Sequence, residues 1–342
     1  MLLRWTYRVL CAMLCCIVCS CNVHEWPEYK GPIDLRLNFI FHTDLPQYLV
    51  IDETLSRSST SPYDYDVRYI VDVYVLNADG SVKEPPIQRF VFTKDDVDQL
   101  NYQTNVVIPA GNYRLIAWAD FVDEGTTTDL HYNTKNLRSI SRTEEFAHAA
   151  MEEALDAYYI SRKEEITTSG DLELILTRPF AKLRVVAIDH HEISSYSTLD
   201  RVEVKFDTEK NPVCKTFNAV NNEISDNCAN HSYVCDVNPA PYKEYSGKSD
   251  EGAEIKGFVL FSDYILAPRD GEQPVSFSID IYDEKDKVRS VNFDTQIPTS
   301  RNHLTTVIGH MLTENYITDI RIDDTLLTDD EFIKDAEDVD SE

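Results

Sequence analysis

The chain has 342 residues, of which 42% are hydrophobic and 11% aromatic, so it can bury about two hydrophobic cores. This composition excludes an intrinsically disordered chain. The formal net charge of −28 disfavours binding to nucleic-acid backbones and anionic lipid headgroups, and it fits a soluble, exposed protein. No nucleic-acid partner is therefore expected.

The first twenty residues have the pattern of a secretory signal peptide. Arg4 and Arg8 provide a basic start, and residues 9–18 are apolar but too few to span a bilayer. The sequence Val18-Cys19-Ser20-Cys21 then resembles a bacterial lipobox. That resemblance implies cleavage before Cys21 and acylation of this cysteine, for example with palmitate. A plain secretory signal with incidental cysteines is the alternative.

Lipidation predicts where the protein resides. Two acyl chains on one cysteine give stable membrane attachment. No later stretch is apolar over the ~18 residues that a transmembrane helix needs, so the lipid is the expected anchor. Asn22 replaces the Asp that favours inner-membrane retention at this position. We therefore expect a surface-exposed, lipid-anchored protein of the outer membrane.

Cleavage before Cys21 would leave three cysteines besides the lipidated one, namely Cys214, Cys228 and Cys235. Three cysteines allow at most one internal disulfide, which an oxidising compartment favours. Their spacing contains no Cys-x-x-Cys and no matching histidines, so no zinc site is expected. Which two cysteines pair is open, although a disulfide across the loop from Cys214 to Cys235 is the favoured possibility.

Short strands are predicted for most of the first half of the chain. Ile33, Leu35, Leu37, Phe39 and Phe41 alternate with mostly polar residues, as in a half-buried strand. Further strand patterns lie at 69–75, 89–92, 106–108 and 113–119. Within the last of these, Tyr113 and Trp118 are predicted to be core aromatics rather than ligand platforms.

A single short helix is predicted at residues 143–156. Thr143 can cap its first turn, and apolar residues recur at helical spacing. These residues are Phe146, Ala150, Met151, Ala154 and Leu155.

Pro179 separates two strand patterns, at 172–176 and 183–187. Because proline cannot donate a ladder hydrogen bond, one sheet is not expected to run through it, and we place a domain boundary here. Strand patterns continue at 202–206, 258–266, 275–281, 288–293 and 304–312. Many short strands with turns every ~8 to 12 residues predict a mainly β protein built from antiparallel β-sandwiches. The predicted parts are a signal peptide (1–20), two β-sandwich domains (21–178 and 179–318) and an acidic tail (319–342).

Three motifs occur in this order in the mature chain. They are Ile108–Asp120 (Ile-Pro-Ala-Gly-Asn-Tyr-Arg-Leu-Ile-Ala-Trp-Ala-Asp), Arg178–Leu183 (Arg-Pro-Phe-Ala-Lys-Leu) and Ile297–Gly309 (Ile-Pro-Thr-Ser-Arg-Asn-His-Leu-Thr-Thr-Val-Ile-Gly). With the lipobox, they give the chain a resemblance to the fimbrillin-like lipoproteins of Bacteroidetes, the type V pilus superfamily. The resemblance implies two tandem transthyretin-like domains and a non-catalytic structural, anchor or tip/adhesive role in fimbriae.

The resemblance also implies a mode of assembly. In polymerising members a protease cuts after a basic residue in the first domain, which removes a strand and opens a groove for the carboxy-terminal strand of another subunit. Arg57 matches this position, although an ordinary surface arginine is the alternative. Tyr316, Ile317, Ile320 and Ile322 give the end of this chain only a weak donor strand, which leaves room for an anchor or accessory role.

Motifs for catalysis, cofactors or metals are not found in the sequence. His190-His191-Glu192 is predicted to be a loop, because adjacent side chains point in opposite directions. Asp95, Asp96 and Asp98 match no calcium-loop pattern. No cofactor, metal or enzymatic activity is therefore expected.

A surface glycan- or peptide-binding lipoprotein of an uptake system is the alternative function. The aromatic residues Trp26, Tyr63 and Tyr65 motivate it, because exposed aromatic rings stack on sugars.

Overall fold

The computed structural model describes most of the chain between residues 31 and 323. The described residues are 31–41, 65–95, 101–151, 153–189, 199–207, 211, 213–225, 232–236, 244–248, 253–283, 286–293, 296–313 and 316–323. They form β-strands and one 3-10 helix, Glu153–Leu155, so the protein is mainly β, as predicted. No helix in these ranges is long and apolar enough to cross a membrane.

The strands in chain order are β1 (Pro32–Phe41), β2 (Tyr65–Leu76), β3 (Val82–Lys94), β4 (Tyr102–Pro109), β5 (Gly111–Asp123), β6 (Tyr132–Asn133), β7 (Ser141–Arg142), β8 (Tyr158–Ile166), β9 (Gly170–Leu176), β10 (Phe180–Ala187), β11 (Leu199–Phe206), β12 (Phe217–Asn218), β13 (Glu223–Ile224), β14 (Ser232–Asp236), β15 (Glu244–Lys248), β16 (Glu254–Leu266), β17 (Glu272–Val275), β18 (Phe277–Asp283), β19 (Asp286–Asn292), β20 (Ile297–Ser300), β21 (Leu304–His310) and β22 (Tyr316–Asp323).

The first hydrophobic core lies between two sheets, whose strand orders are β4-β1-β9 and β3-β2-β5-β8. Leu37 and Phe39 of β1 face this core together with Val71 of β2 and Leu115 of β5. The arrangement follows from the two-residue period of a strand, which sends every second side chain to the same face.

The second core lies between a five-stranded sheet, β15-β16-β10-β21-β22, and a four-stranded sheet, β14-β11-β18-β19. Leu183 and Val185 of β10 face it with Ile279 of β18 and Val307 of β21. Pro179 separates β9 from β10. These strands lie in different sheets and face different cores, as the proline predicted.

A third apolar cluster joins the two halves. Trp118, on the face of β5 that points away from the first core, packs with Phe180 of β10 and Tyr264 of β16. Trp118 is fully buried and Tyr113 is 4% exposed, which confirms that both are core aromatics.

A buried ion pair lies at the same junction. Arg178 Nη2 is 2.6 Å from Asp156 Oδ2 and also donates to Tyr158 Oη at 2.9 Å. Arg178 Nη1 reaches Asn302 Oδ1, just before β21, at 3.5 Å. A buried charge is costly unless it is paired and hydrogen-bonded, and this network pairs Arg178 and connects it to the second half through Asn302.

The prediction of a helix at residues 143–156 is wrong. The chain forms turns there, followed by the three-residue 3-10 helix Glu153–Leu155. Met151 has a φ of 62° and its N–H donates to Ser262 O of β16 at 2.8 Å, which a continuous helix does not allow. The apolar side chains pack in separate clusters, Ala154 in the first core, Ala150 against the second core and Phe146 against the third cluster.

Candidate functional site

The strand β1 occupies the centre of the three-stranded sheet. It pairs antiparallel with β4 and parallel with β9, so both of its edges are hydrogen-bonded. Its side chains in the first core, none more than 8% exposed, are Ile33, Leu35, Leu37, Phe39 and Phe41. At about 2 kcal/mol for each buried side chain, their burial stabilises the folded state by at most on the order of 10 kcal/mol. The first core therefore needs β1 or an equivalent strand.

The carboxy-terminal end of β1 makes close aromatic contacts. The ring centroid of Phe39 lies 4.8 Å from that of Tyr69, and that of Phe41 lies 4.7 Å from that of Tyr158. Burial, together with the neighbouring Tyr102, raises the pKa of Tyr69. The phenol stays neutral. We call the space that β1 fills between β4 and β9 the groove, and this end of it is apolar and aromatic.

The two neighbours of β1 are also attached to the facing sheet. Gln88 Nε2 of β3 donates to Val107 O of β4 at 3.2 Å. On the opposite side, Arg162 Nη1 of β8 donates to Glu173 O of β9 at 2.8 Å. A bridge just beyond β9 adds two backbone hydrogen bonds to β8, of 2.8 and 3.0 Å. β4 and β9 thus have attachments that do not depend on β1.

The last described strand, β22, has a different environment. Among the described strands, it lies at the edge of the five-stranded sheet and pairs with β21 alone. Ile317 and Ile320 are partly buried against the second core, and Ile322 is 38% exposed. Residues 319–323, which were expected to begin the acidic tail, lie in this strand.

A charged clamp holds the turn before β22. The Asp189 carboxylate accepts hydrogen bonds from the N–H groups of Met311 (3.2 Å), Leu312 (2.9 Å) and Thr313 (2.6 Å). Arg289 Nε on β19 donates to Met311 O at 3.0 Å. Burial tends to raise the pKa of Asp189, but the hydrogen bonds from Thr313 and Leu312 outweigh it and hold the pKa below its usual value.

The predicted lipidation and cleavage sites cannot be placed in this fold. Cys21 and Arg57 lie outside the described residues, and so do Trp26 and Tyr63. The same is true of the predicted loop His190-His191-Glu192. These assignments stay predictions.

Of the three cysteines predicted to remain beside Cys21, Cys214 is buried and disulfide-bonded. Cys228 lies outside the described residues, and only the backbone of Cys235 is described. The described residues do not identify the partner of Cys214, and a disulfide across the loop from Cys214 to Cys235 stays a prediction.

Tyr65 is not the exposed aromatic that was expected. It is half-buried at the start of β2, packs against the first core and places its ring centroid 5.7 Å from that of His131. Part of its ring is therefore in contact with the protein itself. In the described ranges, no group of three or more His, Cys, Asp or Glu side chains could hold a metal ion.

Sequence reasoning missed the buried charges between strands. Arg68 of β2 lies directly opposite Asp120 of β5, with Nη2 and Oδ2 2.6 Å apart, and Arg68 Nη1 also contacts Asp129 at 2.8 Å. The available signal was a charged residue within a largely apolar stretch of each strand, Arg68 in β2 and Asp120 in β5. A buried pair of this kind fixes strand register, because a slip would leave both charges unpaired.

The chain resembles several solved structures over most of its length. One is a candidate adhesin from Bacteroides thetaiotaomicron VPI-5482, with 12% identity, a TM-score of 0.47 and coverage of 86% of this chain and 97% of that chain. Another is the fimbrial anchor protein Mfa2 from Porphyromonas gingivalis, with 10% identity, a TM-score of 0.42 and coverage of 86% and 98%.

The tip fimbrial protein Mfa3 from Porphyromonas gingivalis, with a C-terminal truncation, has 9% identity and a TM-score of 0.39, with coverage of 86% of this chain and 99% of that chain. No curated protein matches the sequence.

The model of one protein family covers nearly the whole chain. It matches residues 32–341, which include every strand described above. The chain belongs to this family, the family of unknown function DUF6562.

Proposed function

We propose that this protein is a non-catalytic, lipid-anchored surface protein of fimbriae whose first core is completed by an exchangeable strand. The observation that carries the proposal is the position of β1, which is central in its sheet and supplies five core side chains. In this proposal the two cores belong to tandem transthyretin-like domains, and Cys21 holds the protein in the outer membrane.

The connection after β1 contains the proposed processing site. β1 ends at Phe41 in one sheet and β2 starts at Tyr65 in the facing sheet. Cleavage after Arg57, within residues 42–64, would separate β1 from the rest of the chain. The attachments of β4 and β9 to the facing sheet support retention of an open groove, because they do not involve β1.

The groove specifies what can fill it. A replacement strand needs apolar side chains at five alternating positions and backbone groups that pair with β4 and β9. β22 of a second copy offers Ile317 and Ile320, which a register shift separates, and the exposed Ile322. Its apolar pattern is therefore less regular and shorter than that of β1. We therefore propose an acceptor, anchor or tip role, with a strand from a different fimbrial subunit as partner.

The amino-terminal residue of the protein recovered from cells tests this function. Mass spectrometry of outer-membrane and fimbrial fractions should find acylated Cys21 in the uncut form and Ser58 as the first residue of any processed form. An unmodified residue 21, or absence of the protein from every surface fraction, would contradict the proposal. Mass spectrometry of a non-reduced proteolytic digest of the same protein should show which cysteine pairs with Cys214.

A further inference from the structure

One row of side chains crosses the five-stranded sheet on the face away from the second core. Leu183 and Val185 point into that core, so Arg184 between them points to the opposite face. Arg184 is paired with Ser262 of β16 and with Thr306 of β21, and Thr306 is paired with Arg321 of β22. Directly paired residues share a face, so the row contains Ser262, Arg184, Thr306 and Arg321.

Arg184 is buried in the middle of this row, with 7% of its surface exposed. Its Nε and Nη2 both donate to one oxygen, Thr306 Oγ1, at 3.2 and 3.1 Å. The carbon at the centre of its guanidinium lies 4.9 Å from the ring centroid of Tyr245, which covers it from β15. No carboxylate of the described residues forms an ion pair with it.

The other buried basic side chains of the described residues are different. Arg68 pairs with Asp120, Arg178 with Asp156 and Lys182 with Glu153. Arg184 thus differs from them in having no ion-pair partner among the described residues. The chain has a net charge of −28 and almost twice as many acidic as basic residues, so carboxylates are abundant.

Burial without a counter-charge is unfavourable, because the guanidinium loses its hydration and gains no ion pair in return. Arg184 still has N–H donors that Thr306 does not use, and a guanidinium binds planar oxyanions through two parallel hydrogen bonds. Thr306 accepts from Arg184, so its own hydroxyl proton is free to point at the same ligand.

We propose that this row is a binding site for a carboxylate group, with Arg184 as the primary contact and Thr306 as a second donor. Arg321, at the end of the row, adds positive charge and donates to Lys248 O of β15. Lys248 is exposed and Arg321 is partly exposed, so solvent reaches the Arg321 end of the row. The strongly negative net charge disfavours polyanions and divalent oxyanions, so a single carboxylate is the class of ligand that fits.

Acetate and glucuronate are suitable probes, with chloride and sulfate as comparison anions. Thermal unfolding of the full chain at constant pH and ionic strength should show a Tm that rises by about 3 °C when the carboxylate reaches about ten times its Kd. An equal effect of both carboxylates assigns the site to the carboxylate alone, and a stronger effect of glucuronate assigns it to an acidic sugar.

Arg184→Met should lose the Tm rise with carboxylates, because the variant keeps a side chain of similar length without the charge. Arg201→Met is the control, since Arg201 lies over the ring of Tyr282 at 3.9 Å on the other sheet of the same core and should keep the full rise. Thr306→Val should weaken carboxylate binding at least about threefold, and it tests the site should Arg184→Met not fold. The proposal is overturned by a wild-type Tm that carboxylates do not change, by an equal rise in Arg184→Met, or by tighter binding of sulfate than of either carboxylate.

Discussion

The first and last described strands hold their positions in opposite ways. β1 is hydrogen-bonded on both edges and buries every second side chain in the first core. Among the described strands, β22 pairs along its backbone with β21 alone, and it contributes two partly buried isoleucines. β22 depends instead on the charged clamp of Asp189 and Arg289 at the turn before it.

This difference determines what happens to the fold when either strand is removed from its sheet. Loss of β1 exposes the first core and two strand edges at once, so the vacated groove has a strong affinity for another strand of the same pattern. Loss of β22 exposes one edge and little apolar surface. β1 is therefore suited to exchange between subunits, and β22 is suited to local opening.

Truncation of a β1 side chain should have the largest effect. Phe39→Ala should lower the free energy of unfolding by about 4 kcal/mol, because Phe39 is 1% exposed and lies among the aromatic residues of the first core. Urea denaturation measures it. Ile322→Ala on β22 is the matched control and should change this free energy by less than about 1 kcal/mol. Similar losses in the two variants would contradict the difference between the strands.

Removal of the clamp should affect β22 and leave β1 unchanged. Asp189→Ala should lower the free energy of unfolding by about 2 kcal/mol, since it leaves the N–H groups of Met311, Leu312 and Thr313 without their acceptor. Hydrogen exchange should become faster in residues 316–323 and stay slow in 32–41. Faster exchange in both segments would show that the strands unfold as one unit.

Acid should act on the same clamp. Because the folded-state pKa of Asp189 lies below its usual value of about 4, its contribution to stability is present above that pH and is lost as the pH falls through the folded pKa. As the pH falls, residues 316–323 should therefore lose their protection from hydrogen exchange at a higher pH than residues 32–41 do. In Asp189→Asn this dependence on pH should disappear, and its persistence would assign the effect to other carboxylates.

The attachments at the edges of the groove should have the smallest effect in the intact chain. Arg162→Ala should lower the free energy of unfolding by about 1 kcal/mol or less, because its bond to Glu173 O lies at the surface. Once β1 has been removed, the same variant should weaken binding of a replacement strand, as the position of β9 then depends more on this bond. An equal effect before and after removal would show that β9 is held by other contacts.

Strands with regular alternation were predictable from the sequence. The five apolar residues of β1 and the break between β9 and β10 at Pro179 follow from local rules on strand period and proline. The difference between a central and an edge strand is not local. It depends on which strands lie beside β1 and β22, and alternation carries no information about that.

The segment at residues 143–156 shows a second limit. Its apolar residues recur at helical spacing, but Phe146, Ala150 and Ala154 pack into three different clusters and Met151 is bonded to β16. Tertiary packing thus overrides the local pattern. The buried partners of Arg68 and Arg178 were missed for a similar reason, because each ion pair joins residues that are distant in sequence.

Strand exchange after a single cut tests the central claim most directly. A specific protease site placed at Arg57 allows β1 to be separated, and a fluorescent peptide of residues 32–41 then reports binding by anisotropy. We expect the cut protein to bind this peptide at least about tenfold more tightly than a peptide of residues 316–323, and to keep the exchange protection of β2 and β5. Equal binding of the two peptides, or global unfolding once β1 has left, would contradict the account.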